Sequence, residues 1–469
     1  KAHFAGGNTS VSGGCFNAAD PEGQKPINMT DGQRESIEKL LAEKPQNKLQ
    51  EDLITQVKQQ WADYKKSGSK SLFDTPELHA LQSWKAGDYK ANLELVYRLT
   101  KEAPEIQETL AKMGIIWQKK PTQFVGALWP RSHRASNYKS GVGYIDTYLD
   151  LIKAENLPVA FMMSTPAESL ITKDDKVIGV KAKGPDGKTY TILASKGVIL
   201  ASGGFGANVK MRNEYDELWD KKLDEKVKTT NMPAITGDGI NMALKVGAGV
   251  KDMGYIQLLP TTDPATGSTN HKIVESTNIY VNKLGNRFVN EQGRRDVLAK
   301  AALAQPDHIF YIIGTEQTLL KDKEGRGPYG ILISDLLKQK KAFKADTLEE
   351  LAKKAGMDPA NLKRTVEKWN EFCKTQKGDE FGRMSCEDGN KLPGGPYYAS
   401  LMTPSVHHTM GGLTIDKDTR VLNKAGKPIP GLFAAGEITG GIHGTNRVGC
   451  NAVPDALIYG TIAGREVGK

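Results

Sequence analysis

An α/β fold of two domains is what this sequence predicts, on three observations. At 469 residues the chain is too long for one hydrophobic core, so two domains are expected. The run Gly197-Val198-Ile199-Leu200-Ala201 is apolar throughout, the pattern of a strand buried on both faces in a parallel sheet, and it ends in Ser202-Gly203-Gly204. Near the end of the chain Pro430-Gly431-Leu432-Phe433-Ala434-Ala435-Gly436 reads as a buried strand. A glycine-dense loop carrying Arg447 follows, and then a helix opening at Ala452 with Pro454 and Asp455 in its first turn. A strand, a glycine-rich loop and the free N–H groups of a helix start together make a site for electron-rich or anionic ligands.

Composition narrows the classes. Hydrophobic content of 38% and charged content of 25% describe an ordinary globular chain. No apolar run approaches ~20 residues, so no membrane span is expected. The balance of 64 basic against 55 acidic residues gives +9, which favours anionic substrates mildly. The excess is spread as solvated lysines (Lys221-Lys222, Lys338, Lys340-Lys341) with no aromatic-interleaved basic patch, which argues against nucleic acid. Cys15, Cys373, Cys386 and Cys450 are scattered. Without Cys-x-x-Cys there is no c-type haem or zinc-ribbon motif, no metal site is expected, and a disulfide framework is not expected at this size. Cys15 and Cys450 fall in glycine-rich loops, where a small packing residue is the simplest reading.

Taken in order, residues 4–20 are a glycine-rich loop through which backbone N–H groups can approach a ligand. From about 30 to 117 the period is helical. Leu53, Ile54, Val57 and Trp61 share a face, Thr75-Pro76 caps a segment with Leu78, Leu81 and Trp84, and Ile106, Leu110 and Met113 end at Gly114. Residues of about 40–90 read as an inserted helical elaboration that serves packing, with a lid or partner contact as the alternative. Arg131, His133 and Arg134 precede an amphipathic helix with Ile145, Tyr148, Leu149 and Ile152. Strands are expected at Val159–Met162, Glu168–Ile171 and Val177–Lys181, the last two joined by a turn at Lys173-Asp174-Asp175. Around Thr236-Gly237-Asp238-Gly239 the chain returns to the ligand. Farther on, Ile279–Asn282 and Arg287–Asn290 flank a turn at Leu284-Gly285-Asn286 as a hairpin. Helices are expected over Asp346–Ala355 and Pro359–Lys374, and Lys424–Lys427 is a turn between strands.

Five segments carry a resemblance: Gly6-Gly7-Asn8-Thr9-Ser10-Val11-Ser12-Gly13-Gly14, Val198–Phe205, Asn286–Glu291 with Arg295-Asp296, His407-His408-Thr409-Met410-Gly411-Gly412, and Gly436–Ala452. In their order they resemble the fumarate reductase and succinate dehydrogenase flavoprotein family, closest to its soluble single-chain enoate reductases, such as the fumarate and urocanate reductases. The resemblance implies a glutathione-reductase-like FAD-binding domain in two parts, 1–251 and 379–469, with a Rossmann-type parallel sheet and a β-meander, plus an α+β capping domain inserted over 252–378. It implies non-covalent FAD held by Gly6, Gly7, Asn8, Thr9, Ser12, Gly13, Gly14, Ser202, Gly203, Gly204, Asp238, Gly436, Glu437, Asn451, Ala452 and Val453. Such a domain opens with a strand, Gly-x-Gly-x-x-Gly and a helix, none of which is in the sequence. The expectation is therefore that the first βαβ element, roughly 30 to 40 residues, precedes Lys1.

Reducing an electron-poor C=C requires a hydride for one carbon, a proton for the other and stabilisation of charge on the activating carboxylate. A planar guanidinium suits a carboxylate because its parallel donors are fixed. By resemblance, Arg447 is the carboxylate-binding arginine, His407 its partner on the same carboxylate, and Arg295 the proton donor, with hydride from FAD N5. Glu275 would serve the proton relay. Each has a structural alternative: a helix-terminus ion pair for Arg447, a core histidine for His407, a hairpin ion pair for Arg295, and Arg294 competes for the donor's place. The chain departs from the family where a histidine and a threonine are expected, with Leu259 and Val274 instead. Burying a second carboxylate against those side chains is costly, so a monocarboxylic enoate with an apolar or aromatic tail is expected rather than fumarate. The implied role is a terminal reductase in an anaerobically respiring or fermenting bacterium, in the cell envelope or the cytoplasm. A separate donor, whether reduced flavin, cytochrome or NADH-linked protein, would supply it. Two alternatives stay open: a dehydrogenase of a saturated acid or ketosteroid-like substrate, and a non-catalytic flavin electron carrier.

Overall fold

Capping residues and helical periodicity account for the first part of the chain. The computed structural model describes residues 1–269, 271–274, 276–327, 330–383, 386 and 390–469. After α1 (Asn8–Val11), β1 (Phe16–Asn17) and α2 (Pro21–Gln24) come α3 (Asp31–Leu41), α4 (Lys48–Lys66), α5 (Pro76–Ala86) and α6 (Leu93–Lys112). Thr30 and Gln33 form a capping box, and Asn47 and Thr75 accept the N–H of Gln50 and Leu78. The predicted apolar face of α4 is buried and meets Leu78, Leu81 and Trp84 of α5 in a core of its own. That core, not intrinsic propensity, holds these helices together, since each buried Leu, Ile or Val adds about 1.5–3 kcal/mol.

Arg131 and His133 are both buried. Arg131 donates from Nε and Nη2 to the Asp74 carboxylate at 3.0 and 2.8 Å. Burial pushes Asp74 up and Arg131 down, against the ion pair, while the pair's attraction and the Gln24 side-chain donor oppose it. His133 lies on β2 (Ser132–His133), antiparallel to β1.

The meander follows α7 (Val142–Ala154). It comprises β3 (Ala167–Lys173), β4 (Lys176–Lys183) and β5 (Thr189–Leu193), all antiparallel. Asp174 and Asp175 take φ of 50° and 60°, the left-handed pair a two-residue hairpin turn demands. The strand expected at Val159–Met162 is absent: no strand of the described residues pairs with it, and Val159, Phe161 and Met162 are exposed. Then come β6 (Val198–Leu200), α8 (Val209–Tyr215), α9 (Asp238–Lys245), β7 (Val250–Lys251) and the wholly buried β8 (Ile256–Thr262).

The described residues divide into two units. One is Lys1–Asp224 with Asn231–Gln257 and His408–Lys469; the other is Glu225–Thr230 with Leu258–His407. In the second, after β9 (Tyr280–Asn282), α10 (Arg295–Leu303) and β10 (Phe310–Thr315), come α11 (Ile333–Lys338), β11 (Ala342–Ala345), α12 (Leu348–Ala355), α13 (Pro359–Thr375) and the long β12 (Tyr397–Thr409). The sheet runs β11-β12-β10-β9, with β8 also on β12, and α12 and α13 pack Leu351, Leu362, Val366 and Trp369 against it. The expected hairpin is half formed. Gly285 makes its turn, but the second arm reduces to one bridge, Val281 with Arg287. Arg287 is taken by Glu291 at 2.7 Å and lies over the Trp369 ring, which draws the arm away from a ladder. The expectation of no disulfide is corrected: Cys373, at the end of α13, is bonded to Cys386, 13 residues on. Those thiols are brought to a 4.9 Å Cα separation by the fold, a proximity that spacing alone does not signal.

The chain closes in the first unit with β13 (Gly412–Thr414), β14 (Arg420–Leu422), β15 (Pro428–Ala434), β16 (Thr439–Gly440) and α14 (Ala452–Gly468). β15 is parallel to β6, with Leu432 opposite Val198 and Ala434 opposite Leu200. β6 has β15 alone as a strand neighbour among the described residues, so Ile199 is 36% exposed and the expected two-sided burial does not hold. Among the described residues no helix is long and apolar enough to cross a membrane.

Asp74→Ala leaves a fully buried guanidinium without its carboxylate. Urea unfolding of the variant is expected to show a loss of about 3–5 kcal/mol; a loss under about 1 kcal/mol would place the helical core's stability elsewhere.

Candidate functional site

Two parallel strands side by side, each ending at a left-handed glycine, define the centre of the first unit. Gly203 after β6 and Gly436 after β15 both have φ 77°. Ligands of open α/β sheets bind in the crevice beyond such carboxyl ends. The N-terminal loop carries Gly6, Gly7 and Gly14, all at positive φ. Ser12 closes it, accepting the Gly14 N–H at 3.2 Å and donating to the Thr9 carbonyl at 2.7 Å, with Gly13 between. At Gly7 and Gly436 the space a Cβ would enter holds no atom nearer than 3.9 and 3.5 Å, so the backbone is open to close approach there. By contrast, a Cβ at Gly204 would collide with the Thr409 hydroxyl at 2.0 Å, and one at Gly239 would meet the Ser202 hydroxyl.

Asn8 joins the two glycine loops. Its Nδ2 donates to Glu437 at 3.2 Å and to Asn231 at 2.7 Å, and its Oδ1 accepts the Met232 N–H. Glu437 also accepts the Thr409 N–H at 3.1 Å, and burial pushes its carboxyl up. Asn451 caps α14 by position but spends its side chain on Asn17 and Ser83, so no side chain caps the N–H groups that open the helix at Ala452 and Val453. Asp238 opens α9 in an ion pair with Lys1 at 2.7 Å. Open glycine backbones, an uncapped helix start and strand ends in register suit a dinucleotide with a pyrophosphate, and these residues fit FAD.

Arg447 is 3% exposed. Its Nη2 donates to Gln257 Oε1 at 2.9 Å, and Gln257 Nε2 returns a bond to the Arg447 carbonyl at 2.8 Å. The amide thus holds both ends of the arginine. Sequence reasoning overlooked Gln257; its signal was one amide in the apolar strand Ile256-Gln257-Leu258-Leu259. His443 Nε2 meets Asp455 at 3.1 Å, and its ring is edge-on to His408 at 5.4 Å.

The other candidates belong to the second unit. His407 is half-buried, with Nδ1 2.8 Å from the Thr230 hydroxyl. Arg295 opens α10 and is 7% exposed. Its charge bears on the Tyr280 phenol, which burial and Glu291 push up and Arg383 and Arg295 pull back. Arg294 instead caps the helix by position and pairs with Asp296 at 3.1 Å. Leu259 and Val274 are both buried. Glu275 lies outside the described residues.

Asp252 precedes the glycines of this centre at φ 60°, and a Cβ on Gly411 would lie 2.3 Å from its carbonyl. Burial pushes its carboxyl up to about 6, aided by Glu217 and opposed by Lys251 and the Gly441 N–H. A raised carboxyl keeps its proton in the folded chain while the unfolded chain loses it, so stability falls as pH rises from roughly 4 to about 6. Asp252→Asn, which tolerates that φ, is expected to raise Tm relative to the parent progressively over that window and to hold the gain at pH 7. Equal pH profiles of Tm would contradict it.

The chain matches the family described as FAD binding domain over residues 60–453. It is 37% identical over 481 residues to the NADH:acrylate oxidoreductase of Vibrio harveyi, covering 98% of this chain and 46% of that protein. It is 37% identical over 390 residues to the urocanate reductase of Eggerthella lenta, covering 81% and 62%. The chain therefore spans about half to three-fifths of the length of these relatives. Its fold is similar to the open conformation of a flavocytochrome c3 fumarate reductase, with TM-score 0.68 and 29% identity over 100% of this chain and 72% of that one. The strand ends, the glycine loops and these relatives agree: the chain belongs to the FAD-binding family of fumarate reductase-type flavoproteins.

Proposed function

We propose that this chain reduces the C=C bond of an α,β-unsaturated monocarboxylate. The observation that carries the reading is Arg447, a buried guanidinium fixed by Gln257 in the glycine loop of an FAD-binding domain. When bound, FAD supplies a hydride to one alkene carbon. Arg447 takes the substrate carboxylate through its parallel N–H donors, and its fixed position makes it ready for the charge that builds there. His407 is a second donor to that carboxylate. With the Thr230 O–H turned to Nδ1, the imidazole carries its proton on Nε2 and donates from there. Arg295 gives the proton to the second carbon. Its guanidinium pKa exceeds ~12 in water, so it donates only to a strongly basic carbanion-like centre and is reprotonated at once, with Glu275 in the relay.

Leu259 and Val274 support a monocarboxylate, because neither can pair with a second charge. Two relatives are named for acrylate and urocanate, each a monocarboxylic enoate. Residues 252–378 are read as the capping domain. Reducing equivalents come from a separate donor: a reduced flavin, a cytochrome or an NADH-linked protein.

The test is to reconstitute with FAD, reduce with viologen and follow flavin reoxidation by acrylate, urocanate, cinnamate and fumarate. At least one monocarboxylate is expected to exceed fumarate in kcat/KM by about a hundredfold or more. Fumarate as the best acceptor would overturn the monocarboxylate reading. Arg295→Ala is expected to keep FAD and lower kcat by about 10²–10⁴-fold, and full turnover in that variant would refute its role.

A further inference from the structure

Gly87 ends α5 with φ −87°, a backbone angle open to any residue, so its missing side chain has a different cause. A Cβ there would lie 2.4 Å from the His443 carbonyl oxygen, and one on Gly444 would lie 2.2 Å from the Gly87 carbonyl oxygen. The two backbones are in direct contact, and they are joined. The Asn92 N–H donates to the Gly441 carbonyl at 2.7 Å, and the Thr445 N–H donates to the Gly87 carbonyl at 3.2 Å. The Thr445 hydroxyl donates to the Asp88 carboxylate.

The segment held in this way leads directly into Arg447. With Gly440, Gly441 and Gly444 in it, the segment has more backbone freedom to lose than most, so its conformation has to be imposed from outside. The turn that imposes it is itself rigid. Asp88 and Tyr89 are held left-handed at φ 54° and 58°, the Tyr89 hydroxyl donates to Glu43 at 2.9 Å, and the Trp84 indole donates to the Ala91 carbonyl at 2.9 Å. Gln257 and Asp455 grip the same segment through Arg447 and His443.

We infer that the turn of residues 86–92, where the helical region meets the glycine loop, is a positioning element that sets the placement of Arg447 and hence affinity for the substrate carboxylate. The inference deepens the enoate reductase reading and rests on it. It gives the helical region a part in the site beyond packing.

The test uses FAD-loaded full chain with acrylate as probe. Gly87→Ala is expected to raise the acrylate KM about tenfold with kcat within about threefold, because ground-state and transition-state binding are lost together. FAD content stays at the parent level, and hydrogen exchange at the Thr445 amide speeds up about tenfold. Asp88→Ala is expected to raise KM less, and Asp88→Asn, which keeps an acceptor for Thr445, to restore it. Lys90→Ala, exposed in the same turn, should match the parent. Unchanged KM and unchanged exchange in Gly87→Ala would overturn the inference. Should Gly87→Ala not fold, the Asp88 pair decides it: equal KM in Asp88→Ala and the parent overturns it. If the parent itself reduces no enoate, the functional reading falls, and the Thr445 exchange rate still decides whether the turn holds the loop.

Discussion

The structure of the first unit depends on immobilising one guanidinium in a glycine-rich loop. Arginine is useful for recognising a carboxylate only if its planar donors stay where the ligand's oxygens will be, and a glycine-rich backbone works against that. The conflict is settled by contacts from outside the loop. Gln257 holds the side chain and the carbonyl of Arg447 together, the helical turn hydrogen-bonds the loop backbone, and Asp455 anchors His443. At Gly440, Gly444 and Gly449 a neighbouring backbone comes too close for a Cβ, whereas at Gly436 the space is open. Open backbone and a held arginine thus belong to different residues of one loop.

Buried charge is used in two ways. Arg131 with Asp74, and Arg287 and Arg383 with Glu291, are paired cations whose carboxylates are themselves buried. Such pairs add little net stability relative to apolar packing but penalise any arrangement that separates them, which suits elements that must hold a fixed geometry. Arg383 and Arg287 also lie over the Trp369 ring at 4.8 and 4.9 Å, tying the charge cluster to the apolar core of the second unit. Arg447 differs, since its side chain donates to a neutral amide and a carbonyl, Gln257 and Val448, while its charge bears on the buried Glu437 carboxyl.

Most of the fold was legible because its signals are local. Apolar spacing in α4 and α5, the cap at Thr75, the Asp174-Asp175 turn and the Lys424–Lys427 turn before β15 all act within a few residues. The misses share a different cause. Among the described residues Val159–Met162 has strand composition but no strand to pair with, Ile199 is apolar at a sheet edge, and Arg287 leaves its hairpin for Glu291. In each case the deciding partner is remote or lacking, and β structure depends on its partners more than helix does.

The sequence by itself determined the order of elements and the glycine loops, because residue type and short spacing encode them, and resemblance to the family marked Arg295, His407 and Arg447 as candidates and Leu259 and Val274 as departures. Only the tertiary structure decided that Cys373 and Cys386 are bonded, that Arg131 is a buried brace, that Arg294 pairs with Asp296, that Gln257 holds Arg447, and that the Gly87 turn meets the glycine loop. The reason is physical: those facts are contacts between residues far apart along the chain, and a contact has no signature in either partner until the backbone brings them together.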